Sequence, residues 1–265
     1  MRFNDGFRGF RSFVLVLVVV VAAAKACDRP EPPSSTVSTS IPVTNPIQDM
    51  LQQGNPAPSQ EGIAAVILVD TSGSMGDSVR DADGNQKPKI KIAQQAAMNL
   101  VNQFDGYARE HPDQKISLGI YEFSQRTGLP SARPVVNLGP PNPAAASAAI
   151  FRMNAKGDTP IGDAMILAMK RLDATGLSKK HILVITDGDN TVGYSPDDVT
   201  RVIAGKSDTA RASVYFVAFD IAASRFNSVR DAGGLVLAAS NETDLKGTLD
   251  YVLSGKILAE QPAAR

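Results

Sequence analysis

Three short segments of this chain carry oxygen-bearing side chains at spacings that suit a hard cation. The first, Asp70-Thr71-Ser72-Gly73-Ser74, follows an apolar run, and the alternation of Asp70, Ser72 and Ser74 can aim three oxygens to one side of a loop. The second, Gly157-Asp158-Thr159-Pro160, stands where proline opens a helix. The third, Thr186-Asp187-Gly188, closes another apolar run. Together they offer the carboxylates of Asp70 and Asp187 and the hydroxyls of Ser72, Ser74 and Thr159. Donors of this kind suit Mg²⁺ or Mn²⁺ better than Zn²⁺. Each residue also has a plainer role. Thr159 before Pro160 can cap a helix, the two serines can satisfy loop backbone groups, and Asp-Gly is a common turn. The ordered occurrence of all five favours a metal site. Its two carboxylates just neutralise a divalent ion, so an incoming anionic oxygen meets no net negative barrier.

Residues so far apart in sequence meet only if the segments before them are strands of one sheet. Ile63 to Val69 is a continuous apolar run, as a central parallel strand covered on both faces requires. Pro88 opens an amphipathic helix through Ala93, Ala96, Ala97, Leu100, Val101, Phe104 and Tyr107. Further strands are expected at Ile116 to Phe123, Pro134 to Leu138 (an edge strand), His181 to Thr186, Ser213 to Phe219 and Leu235 to Ala238. Helices are expected at Thr159 to Ala174, Pro196 to Ala204, Ser224 to Arg230 and Thr243 to Gly255. This alternation predicts an α/β fold, a doubly wound and mostly parallel sheet with helices on both faces. Ligands of such sheets bind beyond the carboxyl ends of the strands, where Asp70 and Asp187 stand.

The five residues, in this order and at these separations, resemble the metal-ion-dependent adhesion site of the von Willebrand factor A domain family. The resemblance covers residues 61 to 258. It implies that Ser72, Ser74 and Thr159 coordinate the ion directly or through water, and that Asp70 and Asp187 hold it largely through water. It also implies one antiparallel edge strand, and a partner protein whose Asp or Glu carboxylate fills the free coordination position. The function expected is therefore metal-dependent protein binding without catalysis. The rival reading is a Mg²⁺-dependent phosphohydrolase on a similar sheet. Such an enzyme of the haloacid dehalogenase type needs a second aspartate two positions after the first, where this chain has Ser72. No phosphate-binding Gly-x-x-x-x-Gly-Lys-Ser/Thr motif occurs either.

Charge and cysteine content narrow the partners and the compartment. The 265 residues include 27 Lys and Arg, 27 Asp and Glu, one cysteine and two histidines. Balanced charge disfavours a nucleic-acid partner, and a single cysteine excludes an internal disulfide and a multi-cysteine metal centre. Residues 1–26 read as a signal peptide, with Arg2, Arg8 and Arg11 before an apolar run from Phe13 to Ala24. That run falls short of the ~20 apolar residues of a spanning helix. Cys27 follows directly, after Ala24, Lys25 and Ala26, and resembles the lipid-modified cysteine of a bacterial lipoprotein. The alternative is ordinary secretory cleavage that leaves a free thiol. The lipoprotein reading places the domain in the bacterial cell envelope, lipid-anchored to a membrane and facing the periplasm or exterior. Residues 27–60, rich in proline, serine and threonine, are expected to be a tether, residues 61–258 the domain, and residues 259–265 a tail.

Other candidates read as structural. Asp77, Asp81, Asp83 and Asn85 resemble part of a calcium loop, but Gln86 stands where glycine is needed and no glutamate closes it. They are expected to form a solvated loop bordering the site. Asp189 and Asn190 are expected in turn or supporting polar structure, His111 and His181 in structural positions, and Met165 and Met169 in the core.

Overall fold

The computed structural model describes residues 45–52, 57–81 and 83–260. Cys27 and the signal segment lie outside these residues. In chain order the elements are α1 (Pro46–Gln52), β1 (Gln60–Asp70), β2 (Ser78–Arg80), β3 (Gln86–Pro88), α2 (Lys89–Glu110), β4 (Ile116–Phe123), β5 (Ala132–Gly139) and α3 (Pro143–Ile150). There follow α4 (Ile161–Asp173), β6 (Leu177–Thr186), α5 (Pro196–Ala204), β7 (Ser213–Phe219), α6 (Asn227–Asp231), β8 (Leu235–Ala239) and α7 (Glu242–Val252). Six strands form one sheet in the order β5-β4-β1-β6-β7-β8, and β2 pairs with β3 as a separate hairpin. Within the six-stranded sheet pairing is parallel except between β4 and β5, so the expected antiparallel edge strand is present.

The alternation of β1 shows why its run is wholly apolar. Ile63, Ala65, Ile67 and Val69 pack on one face with α2, α3 and α7, while Ala64, Val66 and Leu68 pack on the other with α1, α4, α5 and α6. Successive strand side chains point to opposite faces, so a central strand covered on both sides has no place for a polar residue until it ends. For β1 that end is Asp70. The chain leaves β1 toward β4 on one side and leaves β6 toward β7 on the other. The crevice between these diverging connections is a topological switch point, bounded by Asp70 and by Asp187 just beyond β6.

Three features depart from the sequence reading. The expected tether is not extended throughout, because residues 46–52 form α1, with Ile47 and Leu51 buried against α4 and α5. These are the apolar pair at helical spacing in a polar stretch, and only the groove beneath them makes that short helix worth forming. The helix expected from Thr159 begins at Ile161, so Thr159 precedes it. The helix α3 was not expected. Its alanine-rich sequence gives little amphipathic contrast, although Asn142 caps it by accepting from the Ala145 amide at 3.0 Å. Among the described residues no helix is long and apolar enough to cross a membrane.

The histidines take the structural roles expected of them. His111 stacks on Tyr107, with ring centroids 4.0 Å apart, at the end of α2. His181 is fully buried in β6, and among the described residues its Nε2 has no hydrogen-bond partner. Burial, with the nearby Lys179 charge, holds its pKa down to about 3. The Glu260 carboxylate, 3.9 Å from Nε2, does not offset that burial. The unfolded chain therefore takes up this proton more readily than the fold does. The contribution of neutral His181 is present in full above its unfolded pKa of about 6.5 and is lost as pH falls toward 3. In urea unfolding at pH 7.5 and pH 5, His181→Leu is expected to improve relative to the natural protein at the lower pH. An equal stability difference at both would mean that His181 is not held neutral.

Candidate metal centre

The five residues read from the sequence meet at the carboxyl edge of the sheet. Asp70, the last residue of β1, is fully buried and accepts the Ser72 amide on Oδ1 at 2.7 Å and the Thr186 hydroxyl on Oδ2 at 2.6 Å. The Ser72 and Ser74 hydroxyl oxygens lie 3.1 Å apart, and Ser74 donates to Asp187 Oδ1 at 2.7 Å. Thr159 joins them across Gly188. A methyl group built on that glycine would lie 3.7 Å from Ser74 Oγ and 3.9 Å from Thr159 Oγ1, which puts both hydroxyls around the same Cα.

Backbone hydrogen bonds lash these loops together. The Gly73 amide donates to Gly157 O at 2.9 Å, and the Lys156 amide donates to Thr71 O at 2.8 Å. Gly157 adopts φ 94°, and a Cβ there would fall 2.1 Å from Gln125 O, so only glycine fits both the dihedral and the approach. Arg126 reinforces the same loop by donating to the Asn154 carbonyl at 2.7 Å and to Ser124 Oγ at 2.9 Å. On the other side, the Thr191 amide donates to Thr159 O at 3.0 Å, and Thr191 Oγ1 accepts the Thr159 amide at 2.9 Å.

The plainer role weighed for Thr159 is taken by another residue. Asn190 Oδ1 accepts the Ile161 amide at 2.8 Å and so caps α4 from the loop after β6. Pro160 holds the N-cap position, and among the described residues the Thr159 side chain caps nothing, its hydroxyl lying beside Gly188. Asp189 pairs with Arg225 at the surface. Asp81 organises the β2–β3 turn, accepting the Asp83 and Asn85 amides at 3.0 and 2.7 Å, so the calcium-loop fragment is a hairpin turn.

Residues 65–246 match the von Willebrand factor type A domain. The chain belongs to that family. Solved structures agree on the fold. The chain is similar to a von Willebrand factor type A protein from Catenulispora acidiphila (21% identity, TM-score 0.57, 78% of this chain and 45% of that one). It is also similar to the PilB minor pilin of Streptococcus sanguinis (16% identity, TM-score 0.56, 78% and 65%). A third likeness is to the pilus adhesin SpaC of Lactobacillus rhamnosus GG (14% identity, TM-score 0.54, 77% and 32%). The chain thus spans less than two thirds of each of these proteins. No curated protein matches the sequence. Domains of this family are generally modules for protein interaction and adhesion, and generally not enzymes.

Two charged residues of this von Willebrand factor A domain escaped the sequence reading. Lys89, the first residue of α2, places its Nζ 3.0 Å from Asp187 Oδ2 and 2.9 Å from Asp220 Oδ2, and its side chain is only 8% exposed. Asp220 directly follows β7, so three adjacent strands, β1, β6 and β7, each lead into an aspartate at the same edge. The rule that exposed Asp70 and Asp187, a buried strand ending in aspartate, applies equally to Phe219-Asp220. Lys89 also left a trace, since a lysine in the first turn opposes the helix dipole and calls for nearby anions.

Electrostatics and donor chemistry fit a divalent ion. Burial pushes the Asp70 carboxyl up to about 6 against the hydrogen bonds from Thr186 and Ser72, with the Asp187 charge adding to the rise. Such a carboxylate gains from a nearby cation. Burial also works against the Lys89 charge, but its bonds to Asp220 and Asp187 prevail and raise its pKa. Among the described residues no three Asp, Glu, His or Cys side chains gather into a metal-holding group, so an ion here relies on the hydroxyls. Hydroxyl and carboxylate oxygens are the donors that Mg²⁺ and Mn²⁺ accept.

The capping assignment gives a direct test. Asn190→Ala should destabilise the domain by about 1 kcal/mol through lost capping, whereas Thr159→Ala should leave denaturant stability in chelator nearly unchanged. The reverse ranking would return Thr159 to the capping role. In chelator at neutral pH, Asp70→Asn is expected to match or exceed the natural protein, because it removes a buried charge and keeps the side-chain shape.

Proposed function

We propose that this domain binds one Mg²⁺ or Mn²⁺ and, through it, a carboxylate of a partner protein. Ser72, Ser74 and Thr159 would hold the ion together with Asp70 and Asp187. The ion would supply a positive centre open to an external anionic oxygen. The observation that carries this reading is the position of the Thr159 hydroxyl. It faces Gly188 beside Ser74 and, among the described residues, caps nothing, although the loop bearing it is fixed by five backbone amide bonds, from Gly73, Gln125, Lys156, Asp158 and Thr191. A ligand that needs about six oxygens would gather the protein's hydroxyls and still keep water that a partner carboxylate can replace. We also propose that the domain works in the bacterial cell envelope, held to a membrane by lipid on Cys27. Its own basic and apolar N-terminal segment ending at Cys27 supports this. Two of the similar structures, a minor pilin and a pilus adhesin, are consistent with work at a cell surface.

Calorimetry with Mg²⁺ or Mn²⁺ is expected to give one site in the natural protein and none in Asp70→Asn. Only the former should be stabilised by metal, by about 2.7 kcal/mol at an ion concentration 100 times Kd. Partner capture from envelope extracts should be lost in chelator and in Thr159→Ala. Full capture by a folded domain in chelator would assign recognition to another surface. For the anchor, acyl-lipid labelling should be present in the natural protein and absent from Cys27→Ser, and equal labelling would remove the lipid from this proposal.

A further inference from the structure

The hydrogen bonds around Asp187 already place one cation at the site. One oxygen of this carboxylate accepts from Ser74, and the other faces the Lys89 ammonium, which also reaches Asp220. Asp220 is the one non-glycine residue among the described residues with positive φ, at 55°, a conformation that aspartate tolerates better than most. Its amide donates to Ala239 O at 2.7 Å, which anchors that turn to the end of β8. Lys89 is thus fixed from three sides: by the start of α2, by Asp187 and by Asp220.

Formal charges give this bridge a consequence. Asp70, Asp187 and Asp220 carry three negative charges, and Lys89 returns one positive charge. The two carboxylates read from the sequence are therefore not both unpaired, because Asp187 shares its charge with an ammonium that is almost wholly buried. A divalent ion on the same carboxylate would stand close to this ammonium. Like charges repel strongly where water is largely excluded.

We infer that Lys89 is an intramolecular counter-cation of the metal centre: by occupying Asp187 it lowers the site's affinity for divalent ions, and Asp220 holds it there. This deepens the metal reading proposed above and rests on it. Lys89 neutralises the acidic edge when no ion is bound, and it sets the ion concentration at which the domain becomes ready for a carboxylate ligand. With an ion present, the three carboxylates, Lys89 and the divalent charge sum to zero. Without Lys89 the same centre would carry a net negative charge and repel an incoming carboxylate, so the residue that weakens ion binding favours the next step.

The test is calorimetric titration of Mn²⁺ alone into the full chain and two variants. Lys89→Met removes the ammonium and keeps the apolar stem. The Lys89→Met/Asp220→Asn double variant removes both ends of the bridge and keeps the formal charge of the natural protein. It also avoids leaving two carboxylates facing each other, so it remains informative where the single variant folds poorly. Both are expected to bind Mn²⁺ at least about tenfold more tightly, the size expected for a monovalent and a divalent cation sharing one carboxylate even at the dielectric of water. Binding by a variant but not by the natural protein would support the same assignment. Equal or weaker binding by the folded double variant would overturn the role of Lys89 and leave the metal reading standing. Binding by none of the three would overturn the metal reading, and this inference with it.

Discussion

Negative charge gathered where three adjacent parallel strands end is the constraint to which the neighbouring loops respond. Asp70 ends β1, and Asp187 and Asp220 directly follow β6 and β7, so the three carboxylates emerge at one edge with little freedom to move apart. The buried carboxylates of Asp70 and Asp187 need donors or cations nearby, because burial without compensation is costly. Thr186 and the Ser72 amide serve Asp70, Ser74 and Lys89 serve Asp187, and Lys89 serves Asp220. The result is a continuous polar chain from Ser72 through Ser74, Asp187 and Lys89 to Asp220.

The scaffold and the charges are separate in origin. Bonds that bring the Asp70 and Thr159 loops together run mostly from backbone amide to backbone carbonyl, and Gly157 permits the closest approach. On the far side of the Thr159 loop, Gly162 lets α4 come against Tyr194, where a Cβ would meet the carbonyl oxygen at 2.0 Å. Asp163 then accepts the Tyr194 amide at 3.0 Å and fixes the loop after β6. Preorganisation of this kind holds the Thr159 side chain beside Gly188 without using its own hydrogen-bonding capacity. The free hydroxyl of Thr159 follows from it, since Asn190 and Thr191 meet the local backbone needs.

Much of this was legible in the sequence because parallel strands and their crossover helices have strong periodic signatures. The limits expected for β4, α5 and β7 coincide with those observed, since β4 and β7 are largely apolar segments bounded by polar residues and α5 opens on Pro196 and stops before Gly205. The motif residues Asp70, Ser72, Ser74, Thr159 and Asp187 declared themselves by residue type and position relative to those strands. Elements with weak patterns were less legible: α1 has two buried side chains, and α3 is mostly alanine. Their stability comes from the surface they cover rather than from local preference.

The sequence by itself determined the α/β class, the strand-ending carboxylates and the hydroxyls spaced to meet them, because each depends on short-range order along the chain. Tertiary structure alone decided which partner each group takes. Asn190 and not Thr159 caps α4, residues 46–52 dock as a helix, and Lys89 closes on Asp187 and Asp220 from residues 98 and 131 positions earlier. Charge pairing acts through space, and the first-turn position that marks Lys89 is shared by Lys91, so local pattern does not single out Lys89. Only the placement of the α2 N-terminus beside the ends of β6 and β7 makes it the cation of this site.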